Sequence, residues 1–138
     1  MIAYVDASVV LRVVLGESGR LREWPALTSI VSSELLEIEC LRTLDRIRLG
    51  ANRSPEEMAI RRGAVYRLLE EADLVELSRP VLHRVASEFP TPLGTLDAIH
   101  LATAMIWRER EGTRPVFATH AAALGLGAQA MGFAVIGL

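Results

Sequence analysis

Lysine is missing from this chain; all 15 of its basic residues are arginine. That absence excludes a Walker A phosphate loop, whose lysine reaches the phosphates, and Schiff-base or pyridoxal-phosphate chemistry, which needs an amine nucleophile. Cysteine is reduced to Cys40, so neither an intramolecular disulfide nor a cysteine metal cluster can form. Its setting in Ile38-Glu39-Cys40-Leu41 reads as a buried thiol. Aromatic residues make up only 5% of the chain and hydrophobic residues 51%, so the core must be built from Leu, Val, Ile and Ala, and a disordered chain is excluded. No apolar run reaches the roughly 18 to 20 residues of a bilayer span, because Arg12, Glu34, Glu37 and Glu39 interrupt the early stretches. No basic region precedes the apolar start Met1-Ile2-Ala3-Tyr4-Val5-Asp6, so no signal peptide is read and a cytoplasmic protein without a membrane partner is expected. Excess positive charge is also lacking, since the net charge is -2, which argues against a general polyanion binder. Neither His-Glu-x-x-His nor Gly-x-Ser-x-Gly occurs, which leaves zinc protease and α/β-hydrolase readings without support.

The 138 residues suit one domain, 1-138, with a folded surface of roughly 7,000 Å². Short apolar runs alternate with helical segments. Ile2 to Val5 reads as a strand ending at Asp6, and Ala7 to Leu15 as a helix closed by Gly16. Ala26 to Val31 reads as a second strand, followed by a helix capped at Ser32 or Ser33 and stopped by Gly50-Ala51-Asn52. Ser54-Pro55-Glu56-Glu57 has the form of a capping box opening a helix to about Ala72. Leu74 to Leu77 is a third strand, Ser78 caps a helix to about Glu88, and Thr95 starts one reaching Glu111 and Gly112. Pro115 to Ala118, a small-residue helix over Ala121 to Met131, and Phe133 to Ile136 complete the chain. The expectation is an α/β fold: a three-layer αβα arrangement with a mostly parallel, about five-stranded sheet. Ligands in such sheets bind beyond the carboxyl ends of the strands, so polar residues directly after strands matter most.

The chain has four aspartates, and two of them, Asp6 and Asp97, sit in strongly apolar sequence, where a carboxylate is costly unless compensated. Asp6 falls at a strand end but also suits a helix N-cap. Asp97 falls in a first helical turn, where negative charge is favoured by the helix dipole. Glu39, in the middle of a helix beside Leu35, Leu36 and Thr43, has no capping function. Glu34 and Glu37 read as solvated charges. Three carboxylates at one sheet edge would repel and resist joint ionisation unless a cation sat among them, and oxygen ligation suits Mg²⁺ or Mn²⁺.

The sequence resembles the PIN-domain ribonucleases, and within them the VapC-type toxins of toxin-antitoxin pairs. The resemblance runs over essentially the whole chain. It is carried by Tyr4-Val5-Asp6-Ala7-Ser8, by the segment Ser33 to Arg42, and most specifically by Thr95-Leu96-Asp97-Ala98-Ile99-His100-Leu101-Ala102-Thr103-Ala104. It implies that Asp6, Glu39 and Asp97 are the catalytic, metal-ligating acids of a Mg²⁺- or Mn²⁺-dependent endoribonuclease, with Ser8 a nearby polar group. It further implies a homodimer, a cognate VapB-like antitoxin, and structured RNA such as tRNA or rRNA as substrate. One departure stands out: the family usually carries another acid after the penultimate strand, and here Phe117-Ala118-Thr119 is followed by His120. His120 is thus either an imidazole ligand, a group positioning water or phosphate, or a sign that a second metal position is unused; Thr119 suits a metal-bound water. Two other readings stay open, a catalytically weak PIN-fold binding or regulatory protein and a PIN nuclease of RNA maturation.

Elsewhere the signals are weaker. Arg42, Arg46 and Arg48 on one helix, and Arg61, Arg62 and Arg67 on the next, are candidates for RNA phosphate contacts or for an ion-paired surface, with Arg42 and Arg46 preferred. Trp24 and Trp107 are candidates for base stacking or for packing. His100 reads as a core histidine or a second partner of Asp97, and His83 as a surface residue. Gly16-Glu17-Ser18-Gly19 is a turn.

Overall fold

The computed structural model describes residues 1–50 and 52–138. They form five strands and six α-helices, with one or two helices between successive strands: β1 (Ile2–Val5), α1 (Ala7–Val14), β2 (Ser29–Ser33), α2 (Leu35–Gly50), α3 (Pro55–Glu71), β3 (Asp73–Val75), α4 (Arg79–Ala86), α5 (Thr95–Glu111), β4 (Val116–Ala118), α6 (Ala122–Ala130) and β5 (Val135–Ile136). The strands form one sheet in the order β3-β2-β1-β4-β5, and every neighbouring pair is parallel. β1 is central, with Tyr4 in register with Val31 on one side and Phe117 on the other.

Alternation along β1 divides the core. Ala3 and Val5 face a cluster with Val9, Val10 and Val14 of α1, Leu36, Cys40 and Leu44 of α2, and Met58 and Val65 of α3. Tyr4 faces the other way, with Phe117, Leu101, Ala104, Leu124 and Ala128 from β4, α5 and α6. The Tyr4 and Phe117 rings stack at 5.0 Å between centroids. Helices therefore cover both faces, the expected three-layer αβα arrangement. The accessible surface is 7482 Å², close to the size-based expectation. No helix among the described residues is long and apolar enough to cross a membrane.

Several boundaries differ from the sequence reading. The second strand starts at Ser29 rather than Ala26, because Trp24–Ala26 forms a 3₁₀ turn around Pro25, whose missing N–H cannot serve a ladder. Ser32 and Ser33 therefore lie in the strand: Ser32 Oγ donates to the Val5 carbonyl at 2.7 Å, while Ser33 Oγ accepts from the Leu35 amide at 3.1 Å and so opens α2. In the stop at Gly50-Ala51-Asn52, Ala51 lies outside the described residues. Ser54 Oγ caps α3 by accepting from the Glu57 amide at 3.1 Å, but the Glu57 carboxylate turns to Arg53 at 2.8 Å instead of closing the box. Ser78 precedes α4 without a side-chain cap bond, and Gly94, not Thr95, is the N-cap of α5. The C-terminal end of α5 is as read: Gly112 takes a left-handed φ of 65°, which favours glycine.

Candidate active site at the carboxyl edge of the sheet

The chain leaves β1 through α1 toward β2 and leaves β4 through α6 toward β5, on opposite sides of the sheet centre. The crevice between β1 and β4 is the topological switch point, where open parallel sheets bind ligands. Asp6 is the first residue after β1, and Thr119 the first after β4.

Asp6 is 4% exposed, and both oxygens of its carboxylate accept hydrogen bonds. Oδ1 accepts from Ser8 Oγ at 2.6 Å and from the Val9 amide at 3.2 Å, while Oδ2 accepts from Thr119 Oγ1 at 2.6 Å. The two hydroxyls pass backbone donors toward it: Ser8 Oγ accepts from the His120 amide at 2.9 Å and Thr119 Oγ1 from the Ala121 amide at 3.0 Å. A buried charge is tolerated on such terms, with hydrogen bonds in place of water. Asp6 is thus both the N-cap of α1 and a fixed carboxylate in the crevice, and the two readings of it are compatible.

Glu39 projects from α2 with a side chain 19% exposed, and Oε1 lies 2.5 Å from His100 Nε2. The other ring nitrogen, Nδ1, is 2.8 Å from the Tyr4 hydroxyl. Because an ionised carboxylate only accepts, the neutral tautomer satisfying both bonds has Nε2–H donating to Glu39 and the Tyr4 hydroxyl donating to Nδ1. Burial pushes the Tyr4 phenol well above its ordinary pKa, so it remains a protonated donor. Sequence reasoning placed His100 beside Asp97 or in the core; it is a core histidine whose hydrogen bonds go to Tyr4 and Glu39.

Asp97, in the first turn of α5, is partly buried. Its carboxyl is held above the usual range, first by burial and then by the Asp6 charge; Glu39 adds to this and His100 opposes it. The three acids thus belong to one electrostatic neighbourhood. No group of three or more His, Cys, Asp or Glu among the described residues is gathered as a metal-binding cluster.

His120 does not present a free imidazole. Nδ1 is 2.6 Å from the Gly137 carbonyl, and Nε2 is buried with no partner among the described residues. Gly137 is needed there: its φ is +97°, and a Cβ would meet the Thr119 carbonyl at 2.7 Å.

The other candidates divide. Arg42 and Arg48 both pair with Asp45, at 3.2 and 2.9 Å, and Arg46 donates to Thr43 at 3.1 Å, so the α2 arginines are largely spent within their own helix. Arg61 reaches back to the Val14 carbonyl at 2.9 Å. Trp107 is buried, with its indole N–H donated to Asp73 at 2.9 Å, which removes it as a stacking platform. Glu34 is exposed yet structural, accepting the Leu77 amide at 2.8 Å; Glu37 and His83 are exposed.

A sequence model of the PIN domain matches residues 3–113. No curated protein matches the chain. Among solved structures, a toxin-antitoxin complex from Klebsiella pneumoniae is similar, with a TM-score of 0.62 at 16% identity over 97% of this chain and 95% of that one. At that identity the likeness is one of fold.

Proposed function

The chain belongs to the PIN-domain family, and from that premise we propose that it is a metal-dependent endoribonuclease, the VapC-type toxin of a toxin-antitoxin pair. The toxin reading is supported by the fold shared with the Klebsiella pneumoniae toxin-antitoxin complex, and it brings a VapB-like antitoxin and a homodimer as expected partners. The observation that carries the nuclease reading is the placement of Asp6 at the switch point of a chain matched to the PIN domain over residues 3–113; the upward shift of the Asp97 carboxyl under burial and the Asp6 charge, with Glu39 adding, supports it, because repelling carboxylates at a switch point are what a hard cation relieves.

Asp6, Glu39 and Asp97 are the residues that would hold Mg²⁺ or Mn²⁺. The fit rests on donor chemistry, since all three offer oxygen only. Such an ion, when bound, lowers the pKa of water and neutralises charge on a scissile phosphate. The protein's own part is orientation. Ser8, Thr119 and the Val9 amide fix both oxygens of Asp6, and His100 fixes Glu39, so these two carboxylates enter the reaction with little rotamer freedom to lose.

The test is cleavage of labelled structured RNA by antitoxin-free protein with Mg²⁺, with Mn²⁺ and with EDTA. Cleavage should require metal and vanish in Asp97→Asn; metal-independent cleavage, or full activity in the variant, overturns the reading.

A second reading is favoured by His120, whose Nδ1 is tied to Gly137 and whose Nε2 is buried. On it the protein keeps the fold and partner but cleaves weakly for want of a fourth acid. His120→Asp then raises metal-dependent cleavage many-fold; an unchanged rate removes this reading.

A further inference from the structure

A groove of about 870 Å³ lies beside the acidic crevice, not within it. It is lined by Arg12, Arg20, Arg22 and Trp24, with Glu23 as its only acidic side chain, and His120, Gly137 and Leu138 form part of its wall. His120 ties it to the site, because its amide donates to the Ser8 hydroxyl that in turn donates to Asp6. Arg12 braces the groove by donating to the Gly19 carbonyl at 3.0 Å. Arg20 and Arg22 are exposed, and neither has an ion pair among the described residues. Trp24 is half-buried, packed on the core through part of its surface while also lining the groove.

The geometry points to a binding track for single-stranded RNA along the segment 18–25, with Arg20 and Arg22 holding backbone phosphates and Trp24 serving as a platform for a base. The inference rests on the ribonuclease reading and names where its substrate lies. Three lines carry it. A molecule of net charge -2 whose proposed site rests on three carboxylates repels a polyanion, so the approach needs a local patch of opposite sign, and the arginine side chains of the groove outnumber its one glutamate. A positive groove with an aromatic wall is the combination that binds single strands without base-specific hydrogen bonds. The arginines of α2 preferred from sequence are instead paired with Asp45 or bonded to Thr43, whereas Arg20 and Arg22 of the groove are exposed and have no ion pair among the described residues. An acidic peptide would satisfy the arginines but would leave the indole without a stacking partner.

The experiment is fluorescence anisotropy of a short fluorescein-labelled single-stranded RNA with the full chain in EDTA, over a range of salt concentrations. Wild-type protein should bind with an affinity that falls as salt rises. Arg20→Gln/Arg22→Gln should weaken binding roughly tenfold at low salt and reduce the slope of log K against log salt by about 1.4, at about 0.7 for each phosphate left without its arginine. Arg42→Gln/Arg46→Gln should change neither. RNA should also quench tryptophan emission, and a polyglutamate peptide should neither quench it nor displace RNA. Equal competition by the peptide overturns the RNA assignment in favour of an acidic protein segment, and unchanged RNA affinity in the groove variant overturns the site. Because EDTA removes cleavage from the assay, the two readings fail separately: cleavage with an unaffected groove variant sinks the track alone, and tight groove-dependent binding without metal-dependent cleavage sinks the nuclease alone.

Discussion

His100 Nε2 lies 2.5 Å from Glu39 Oε1, joining α5 to α2 across the carboxyl edge of the sheet. The bond is continued through the ring to Tyr4 on β1, so three elements depend on one buried imidazole. Tyr4→Phe keeps the packing on Phe117 and removes only the hydroxyl; it should cost about 1 kcal/mol in urea unfolding. His100→Ala opens a cavity and orphans both partners, and should cost about 2–4 kcal/mol. If His100 positions Glu39, both variants lower the single-turnover cleavage rate while leaving RNA affinity in EDTA unchanged. A parallel loss of affinity would assign the chain of bonds a structural role only.

Thr119→Val is nearly isosteric and removes the donor to Asp6 Oδ2 together with the acceptor of the Ala121 amide. A stability loss of about 1–3 kcal/mol is expected from the groups left unpaired, with a fall in kcat. Thr119→Ser should restore both, and failure of that rescue would show that the hydroxyl is not what matters.

The Asp97 carboxyl sits above its usual pKa range because burial and the Asp6 charge disfavour its ionised form. Its stabilising contribution is therefore complete below the ordinary aspartate value of about 3.9 and is lost as pH rises through the higher folded-state value. At neutral pH Asp97→Asn should melt at or above the wild-type temperature while losing activity, and the gap should close on acidification. Added Mg²⁺ or Mn²⁺ should raise the wild-type Tm by mass action and leave that of the variant nearly unchanged. A variant that melts well below wild type at neutral pH would contradict this.

The Cys40 thiol is buried in the α1–α2 core, and burial, with Glu39 and Asp6 adding, pushes its pKa up to about 12. Thiolate is the reactive form, so a disulfide reagent at mildly alkaline pH should leave folded protein unmodified and react promptly once urea unfolds it. Rapid labelling of the native chain would place Cys40 elsewhere.

The fold was legible because continuous apolar runs such as Ile2 to Val5 alternate with capped helices, the pattern of a sheet covered on both faces. The start of the second strand was not, because Ala26 and Leu27 are as apolar as a strand and only Pro25 marks the turn. Asp6 and Asp97 could be singled out because each is a charge in apolar sequence, and Glu39 because the middle of a helix gives it no capping function. Their partners could not: Tyr4 and Glu39 are 96 and 61 residues from His100, and no local period encodes such a meeting. The tie from His120 to the Gly137 carbonyl depends on a backbone close approach and is equally silent in sequence. Arg20 and Arg22 carry no sequence signal because charges in a loop follow no helical or strand period.

The central position of β1 has a consequence for when the crevice is assembled. β1 is bordered on one side by β2 and on the other by β4, and Thr119, the residue after β4, is synthesised 113 residues later than Asp6. Asp97 also arrives late. A nascent chain therefore carries Asp6, with Ser8 and Val9 beside it, well before Thr119 is there to fix its second oxygen or Asp97 to share its field. The crevice between β1 and β4 is therefore assembled only once β4 has been made, however early its first carboxylate was laid down.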